Sequence, residues 1–186
     1  MKTVKVLVAA SMAAALLAGC GSKTDTDTFR FASELDIQGM DSTVVDDGMS
    51  FNAVHAITDG LTAVNEKGKT APAIAKSWDV SDDGKTYTFH LRDAKWSNGD
   101  KVTANDFVYS WRKIIKNAGN YAYMLGIESA SVKNADALME LGTNATDEQM
   151  ATLGVTAKDD KTLVVELENK VPYFTDLMAF PCYFPQ

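Results

Sequence analysis

Residues Lys76 to Trp111 read "KSWDVSDDGKTYTFHLRDAKWSNGDKVTANDFVYSW". Two apolar alternations flank an acidic turn: Trp78 and Val80 before it, Tyr87, Phe89 and Leu91 after it. Asp83-Gly84 lies between them, a pair that favours tight hairpin turns. A β-hairpin is predicted. The period then changes. Ser97-Asn98-Gly99-Asp100 reads as a turn. Thr103 is the predicted N-cap of a helix, and Asp106 completes a box-like start. Such a cap contributes about 1 kcal/mol. Phe107, Val108, Trp111, Ile114 and Ile115 recur at helical spacing, while Lys113 and Lys116 suit the last turn. The apolar face is one-sided, so the helix is expected to pack on the hairpin's sheet. Trp96 and Trp111 are expected to anchor the core rather than to form a ligand platform. A hairpin feeding a helix in this way predicts a mixed α/β fold.

Working outward, "AKDDKTLVVEL" is a weak echo, in which Leu163, Val165 and Leu167 alternate after a similar acidic turn. It reads as another strand of the same sheet. Asp79, Ser81, Asp83 and Gly84 also fall at calcium-loop positions, but the twelfth position is His90 where a bidentate Glu is needed. The hairpin reading is kept. Upstream, "TFRFAS" (Thr28 to Ser33) predicts a strand and Met49 to Asp59 a helix, with Gly60 just past its end. "LTAVN" predicts a short strand and "EKGK" its turn. Downstream, Tyr121 to Gly126, Ala135 to Leu141 and Thr146 to Leu153 predict short helices. "VPYFTDLMAF" predicts one more, with Pro172 at its start.

The chain has 186 residues, 46% of them hydrophobic and 23% charged, as in ordinary globular proteins. The formal charge of -7 argues against nucleic acid, whose phosphates need a basic partner surface. Lys2 and Lys5 precede an apolar run, Val6 to Ala18, too short to span a bilayer comfortably. Residues 1–19 read as a secretory signal. The run ends Leu17-Ala18-Gly19-Cys20, which resembles the lipobox of bacterial lipoproteins. In that family the cut falls before the cysteine and the thiol carries diacylglycerol. The competing reading is a plain signal with an incidental cysteine. "GSKTDTDT" then reads as a flexible tether, within residues 20–28. With Cys20 lipidated, Cys182 has no disulfide partner and is expected to be a small buried apolar residue.

Catalytic signatures are missing. His55 and His90 show no metal-ligand spacing, and no GxSxG, Walker A, GxGxxG or HExxH motif occurs. Neither a metal nor a cofactor is expected, and the chain reads as a non-enzyme. The sequence closes on "PCYFPQ", an aromatic segment between two prolines with no closing element. The chain is therefore expected to be the leading part of a longer protein, with "AFPCYFPQ" exposed and adhesive.

The run Pro72 to Trp111 resembles the signature region of the family 5 extracellular solute-binding proteins, the oligopeptide-binding components of ABC importers (OppA type). The matching pieces are Ala75, Trp78, the Asp82-Asp83-Gly84 turn, "TFHLR", "KWSNGD" and "TANDFVYSW". "ELDIQGMDS" and "VPYFTDLMAFPCYFPQ" resemble flanking pieces of the peptide-binding branch, and the lipobox agrees. "LRDAKW" is one residue shorter than is common there, which concerns a turn and not the family.

The resemblance implies a periplasmic-binding-protein-like fold of type II, with two lobes around a cleft. Residues 29–47 would be the first segment of lobe I, 48–170 an extra mixed-sheet domain, and 171–186 the return into lobe I. It implies an extended peptide held through its main chain between the lobes, and delivery to ABC permease subunits. Asp36 and Ile37 match the segment that faces the peptide, and Tyr121 matches a tyrosine that approaches it. Asp36 also reads as a turn carboxylate, and Tyr121 as a half-buried packing residue. A monomer moored by lipid at the outer face of the cell membrane is expected, on the periplasmic side in a Gram-negative organism. Other solutes of the family stay open: a signalling peptide, a nickel complex, haem or a sugar. So do a surface-anchored hydrolase and an adhesive domain.

Overall fold

The computed structural model describes residues 32–186. The signal segment, the lipobox with Cys20 and the tether lie outside the described residues. Most of the "TFRFAS" strand does too; its last two residues, Ala32 and Ser33, have no regular secondary structure.

The predicted hairpin organises the sheet of the compact unit Leu35–Gln186. Strands β3 (Ala75–Val80) and β4 (Thr86–Leu91) pair antiparallel, with Trp78 opposite Phe89. Gly84 takes φ +70° in the turn, a region that other residues rarely adopt. The acidic turn is held by hydrogen bonds to the Asp83 carboxylate, from the Ser81 hydroxyl at 2.5 Å and the Lys85 N–H at 3.0 Å. Asp79 Oδ2 meets His90 Nε2 at 2.7 Å across the hairpin. These side chains serve the hairpin, as the spacing predicted.

The echo segment completes the sheet. Strands β5 (Val155–Asp159) and β6 (Thr162–Glu166) extend it in the order β3-β4-β6-β5, all antiparallel. Tyr87, Phe89 and Leu91 of β4 share the inner face with Leu163 and Val165 of β6, all buried. Val80 departs from its predicted place and is 47% exposed. β3 is an edge strand of this sheet, paired on one side only.

Helix α2 (Ala104–Lys116) follows the turn, as predicted. Its start is fixed by the Asp106 carboxylate, which accepts from the Thr103 N–H at 2.7 Å. Phe107, Trp111, Ile114 and Ile115 are fully buried against the sheet. Trp111 also donates to the Tyr183 carbonyl at 3.0 Å. Trp96 is only half-buried and packs against the edge of the same core.

The remaining elements are short. Helix α1 spans Gly48–Ile57, ending two residues before the predicted limit, and a two-stranded sheet joins β1 (Thr62–Val64) to β2 (Thr70–Pro72). After a 3-10 turn at Ala122–Leu125 come α3 (Ala135–Leu141), α4 (Asp147–Met150) and, beyond the sheet, α5 (Phe174–Leu177). Helices α4 and α5 are single turns, shorter than predicted. Below about twelve residues a helix depends on tertiary contacts, and here those contacts pull the chain away. Gly154 N–H already bonds the Lys133 carbonyl at 2.9 Å.

The tail departs most from expectation. Cys182 and Tyr183 are fully buried, and Phe184 is nearly so. A 3-10 turn at Pro181–Tyr183 feeds these rings between α1 and α2. The Ser110 hydroxyl donates to the Phe184 carbonyl at 2.6 Å, and the Tyr183 hydroxyl donates to the Met124 carbonyl at 2.5 Å. The tail is therefore core, because α2 offers it a buried hydroxyl and an indole N–H as partners. Gly60 makes room for it: a Cβ there would lie 2.5 Å from the Phe184 ring.

Candidate ligand-binding face

The segment around Asp36 and Ile37 is irregular and exposed. It is tied down just beyond, where the Ser50 hydroxyl accepts from the Gln38 N–H at 3.0 Å and from the Gly39 N–H at 3.3 Å. Ser50 lies in the first turn of α1, whose N-cap Asp47 accepts from the Ser50 N–H at 2.8 Å. The Ser50 bonds hold the Asp47 carboxyl below its usual range. The segment thus leans on the start of a capped helix. Among the described residues, the Ile37 main chain has no hydrogen-bond partner. The residue is 54% exposed.

Tyr121 comes to the same helix from the other direction. Its ring meets Phe51 edge-on at 5.0 Å and Phe180 at 5.5 Å, and it stacks on Tyr123 at 5.9 Å. Tyr121 is half-buried, while Tyr123 is 55% exposed. The Asn120 amide donates to the Asp46 carboxylate, which fastens the Tyr121 loop to the chain before α1. Gly119 packs so closely on Thr43 that a Cβ would meet its carbonyl at 2.3 Å. The Gln38–Gly39 main chain and the Tyr121 ring thus both reach the first turn of α1, at Ser50 and Phe51. The unpaired Ile37 main chain and an exposed aromatic such as Tyr123 are features that an extended ligand can use.

A second cluster escaped the sequence reading. Asp41 accepts from Lys113 Nζ at 2.7 Å through one oxygen, and through the other from the Thr43 N–H at 3.0 Å and the Thr43 hydroxyl at 2.7 Å. The Gln186 amide also donates to Asp41, and its oxygen accepts from Lys113 at 2.6 Å. Burial alone would raise the Asp41 carboxyl, but the bonds from Lys113, Thr43 and Gln186 outweigh it and hold it well below the carboxylate range. Asp41 and Gln186 border a hollow of about 450 Å³, with Met40, Val54, Trp96 and Pro185. Asp36, Ile37 and Tyr121 do not line it. The only sequence signal was the Asp41-Ser42-Thr43 run, which favours local turns.

Among the described residues, no three His, Cys, Asp or Glu side chains gather as a metal site, and no helix is long and apolar enough to cross a membrane.

Residues 69–186 match the family model of the bacterial extracellular solute-binding proteins, family 5. The whole chain is 38% identical to the dipeptide-binding protein of Lactococcus lactis subsp. cremoris, of which it covers 33%. The structure resembles the substrate-binding domain of an oligopeptide ABC transporter from Bacillus anthracis, with a TM-score of 0.76 and 40% identity. That match covers 83% of this chain and 29% of the other. The peptide-bound oligopeptide-binding protein OppA of Listeria monocytogenes gives a TM-score of 0.70 at 39% identity, over 79% of this chain and 28% of that one. The chain thus spans about a third of the length of the relatives it matches. Its α/β structure is thus that of part of a periplasmic-binding-protein-like fold, and the chain belongs to the family 5 bacterial extracellular solute-binding proteins.

Proposed function

We propose that this protein captures oligopeptides outside the cell and delivers them to the permease of an ABC importer. Residues 29–47 and 171–186 are read as parts of one lobe, and 48–170 as the extra domain beside it. Cys20 carries the lipid that moors the protein at the outer face of the membrane. Each buried methylene contributes roughly 0.8 kcal/mol, so two acyl chains suffice for a stable anchor. The protein acts as a monomer and needs no cofactor.

One observation carries the reading: Ile37 is exposed with its main chain unpaired, two residues before the Gly39 N–H bonds the start of α1, in a chain whose relatives bind peptides. Main-chain pairing gives affinity without demanding a sequence, and pockets beside it sort the side chains. Asp36 supplies a carboxylate for a peptide ammonium group, Ile37 the main-chain partner, and Tyr121 an aromatic flank. Micromolar binding needs about -8 kcal/mol from such contacts. Calorimetry of the full-length gene product with mixed di- to hexapeptides should give saturable heat. Silence across the whole mixture would reject peptide capture.

A further inference from the structure

The turn after the hairpin carries a concentration of positive charge on an acidic protein. A β-bridge sets Lys95 directly opposite Lys101. The turn between them is closed by bonds from the Trp96 N–H to the Asp100 carbonyl at 2.9 Å and from the Val102 N–H to the Ala94 carbonyl at 3.0 Å. Its one acid, Asp100, is exposed and accepts from the Asn98 amide at 2.7 Å. Like charges placed opposite each other on a strand pair cost stability. Both lysines are exposed, and neither has an ion-pair partner among the described residues.

Two further cations join them. Arg92 donates to the Ala73 carbonyl at 2.8 Å and to Asp59 at 3.1 Å. Lys161 donates to the Arg92 carbonyl at 3.1 Å and pairs with Asp93 at 3.3 Å. Arg92, Lys95, Lys101 and Lys161 surround an open hollow of about 600 Å³ with only Asp93 and Ala94 between them. Asp93 is already engaged by Lys161. Its four cations against one acid oppose the chain's net charge of -7. Ammonium groups on flexible stems suit a multi-oxygen anion approached as point charges.

We propose that Lys95 and Lys101, backed by Arg92 and Lys161, form a binding site for phosphate-bearing anions. The chemistry is shared by two sources, the phosphates of anionic lipid headgroups and soluble polyphosphates. The site is separate from the Asp36–Ile37–Tyr121 face and does not depend on peptide capture.

The test uses the full chain with Cys20→Ala, so that no acyl chain contributes. It is sedimented with vesicles of phosphatidylcholine alone or mixed with phosphatidylglycerol, and titrated separately with pyrophosphate. K95E/K101E is compared with K67E/K69E, which changes net charge equally at two exposed lysines elsewhere. Near a membrane each lysine is worth about 1 kcal/mol, so K95E/K101E should weaken binding to the anionic vesicles at least about 30-fold, while K67E/K69E stays near the parent. Binding to vesicles identifies the lipid source. Binding to pyrophosphate alone identifies the soluble one. No binding in either arm, or equal loss in both double variants, overturns the proposal.

Discussion

Lys113 Nζ lies 2.7 Å from Asp41 Oδ2, joining the last turn of α2 to the segment that precedes α1. The pair is three-quarters buried on the lysine side, and Gln186 bonds both members. Asp41→Asn should therefore cost about 2 kcal/mol, the scale of a hydrogen bond to a charged group. The carboxyl's folded pKa lies below its unfolded value near 3.9. Its stabilisation is then fully present above that value and fades as pH falls toward the folded one. Urea unfolding should show the parent and Asp41→Asn well separated at neutral pH. They should converge as pH drops below about 4. Curves that stay parallel into acid would remove Asp41 as the titrating group.

The two tryptophans of the signature stretch should behave differently. Trp111 is fully buried and donates to the Tyr183 carbonyl. Trp111→Phe leaves both a void and an unpaired carbonyl, at a cost of about 3 kcal/mol. Trp96 is half-buried, and its longer bond to Asp106 measures 3.4 Å. Trp96→Phe should cost under about 1 kcal/mol. Equal shifts in the denaturation midpoint would contradict the burial difference.

These contrasts also mark what the sequence could reveal. The hairpin and α2 were legible because their signals are local: Asp83-Gly84 for the turn, and Thr103 with Asp106 for the helix start. Val80 was misjudged because alternation does not tell an edge strand from a central one. The single-turn helices were overextended because propensity is blind to the tertiary bonds that end them. The tail was misjudged for a similar reason: its partners, Ser110 and Trp111, lie more than seventy residues upstream. The Asp41–Lys113–Gln186 cluster is equally non-local. At the candidate face, Asp36, Ile37 and Tyr121 were reached through family resemblance. The rings that hold Tyr121, Phe51 and Phe180, come from opposite ends of the described chain.

Cys182 offers a probe of the buried tail. Burial pushes its thiol far above the ordinary range, so the reactive thiolate is scarce while the fold is intact. In a Cys20→Ala background, a thiol reagent should label Cys182 only as fast as the tail opens. Labelling should accelerate with urea in step with the loss of tryptophan burial. Immediate labelling in native buffer would show that the tail is released in solution.

The candidate face makes its own demand, which a main-chain variant can isolate. Proline has no N–H to give a ligand strand. Ile37→Pro should therefore weaken peptide binding about tenfold, the scale of one hydrogen bond together with local misfit. Ile37→Ala keeps the N–H and trims the side chain of a residue that is 54% exposed, so it should bind nearly as the parent does. Tyr121→Phe keeps the ring packed between Phe51 and Phe180 and deletes only the hydroxyl. A fewfold loss in that variant at unchanged melting temperature would assign the hydroxyl to the ligand. Calorimetry with one tripeptide across all three variants separates the contributions. If Ile37→Pro and Ile37→Ala bind alike, the affinity does not come from main-chain pairing at this segment.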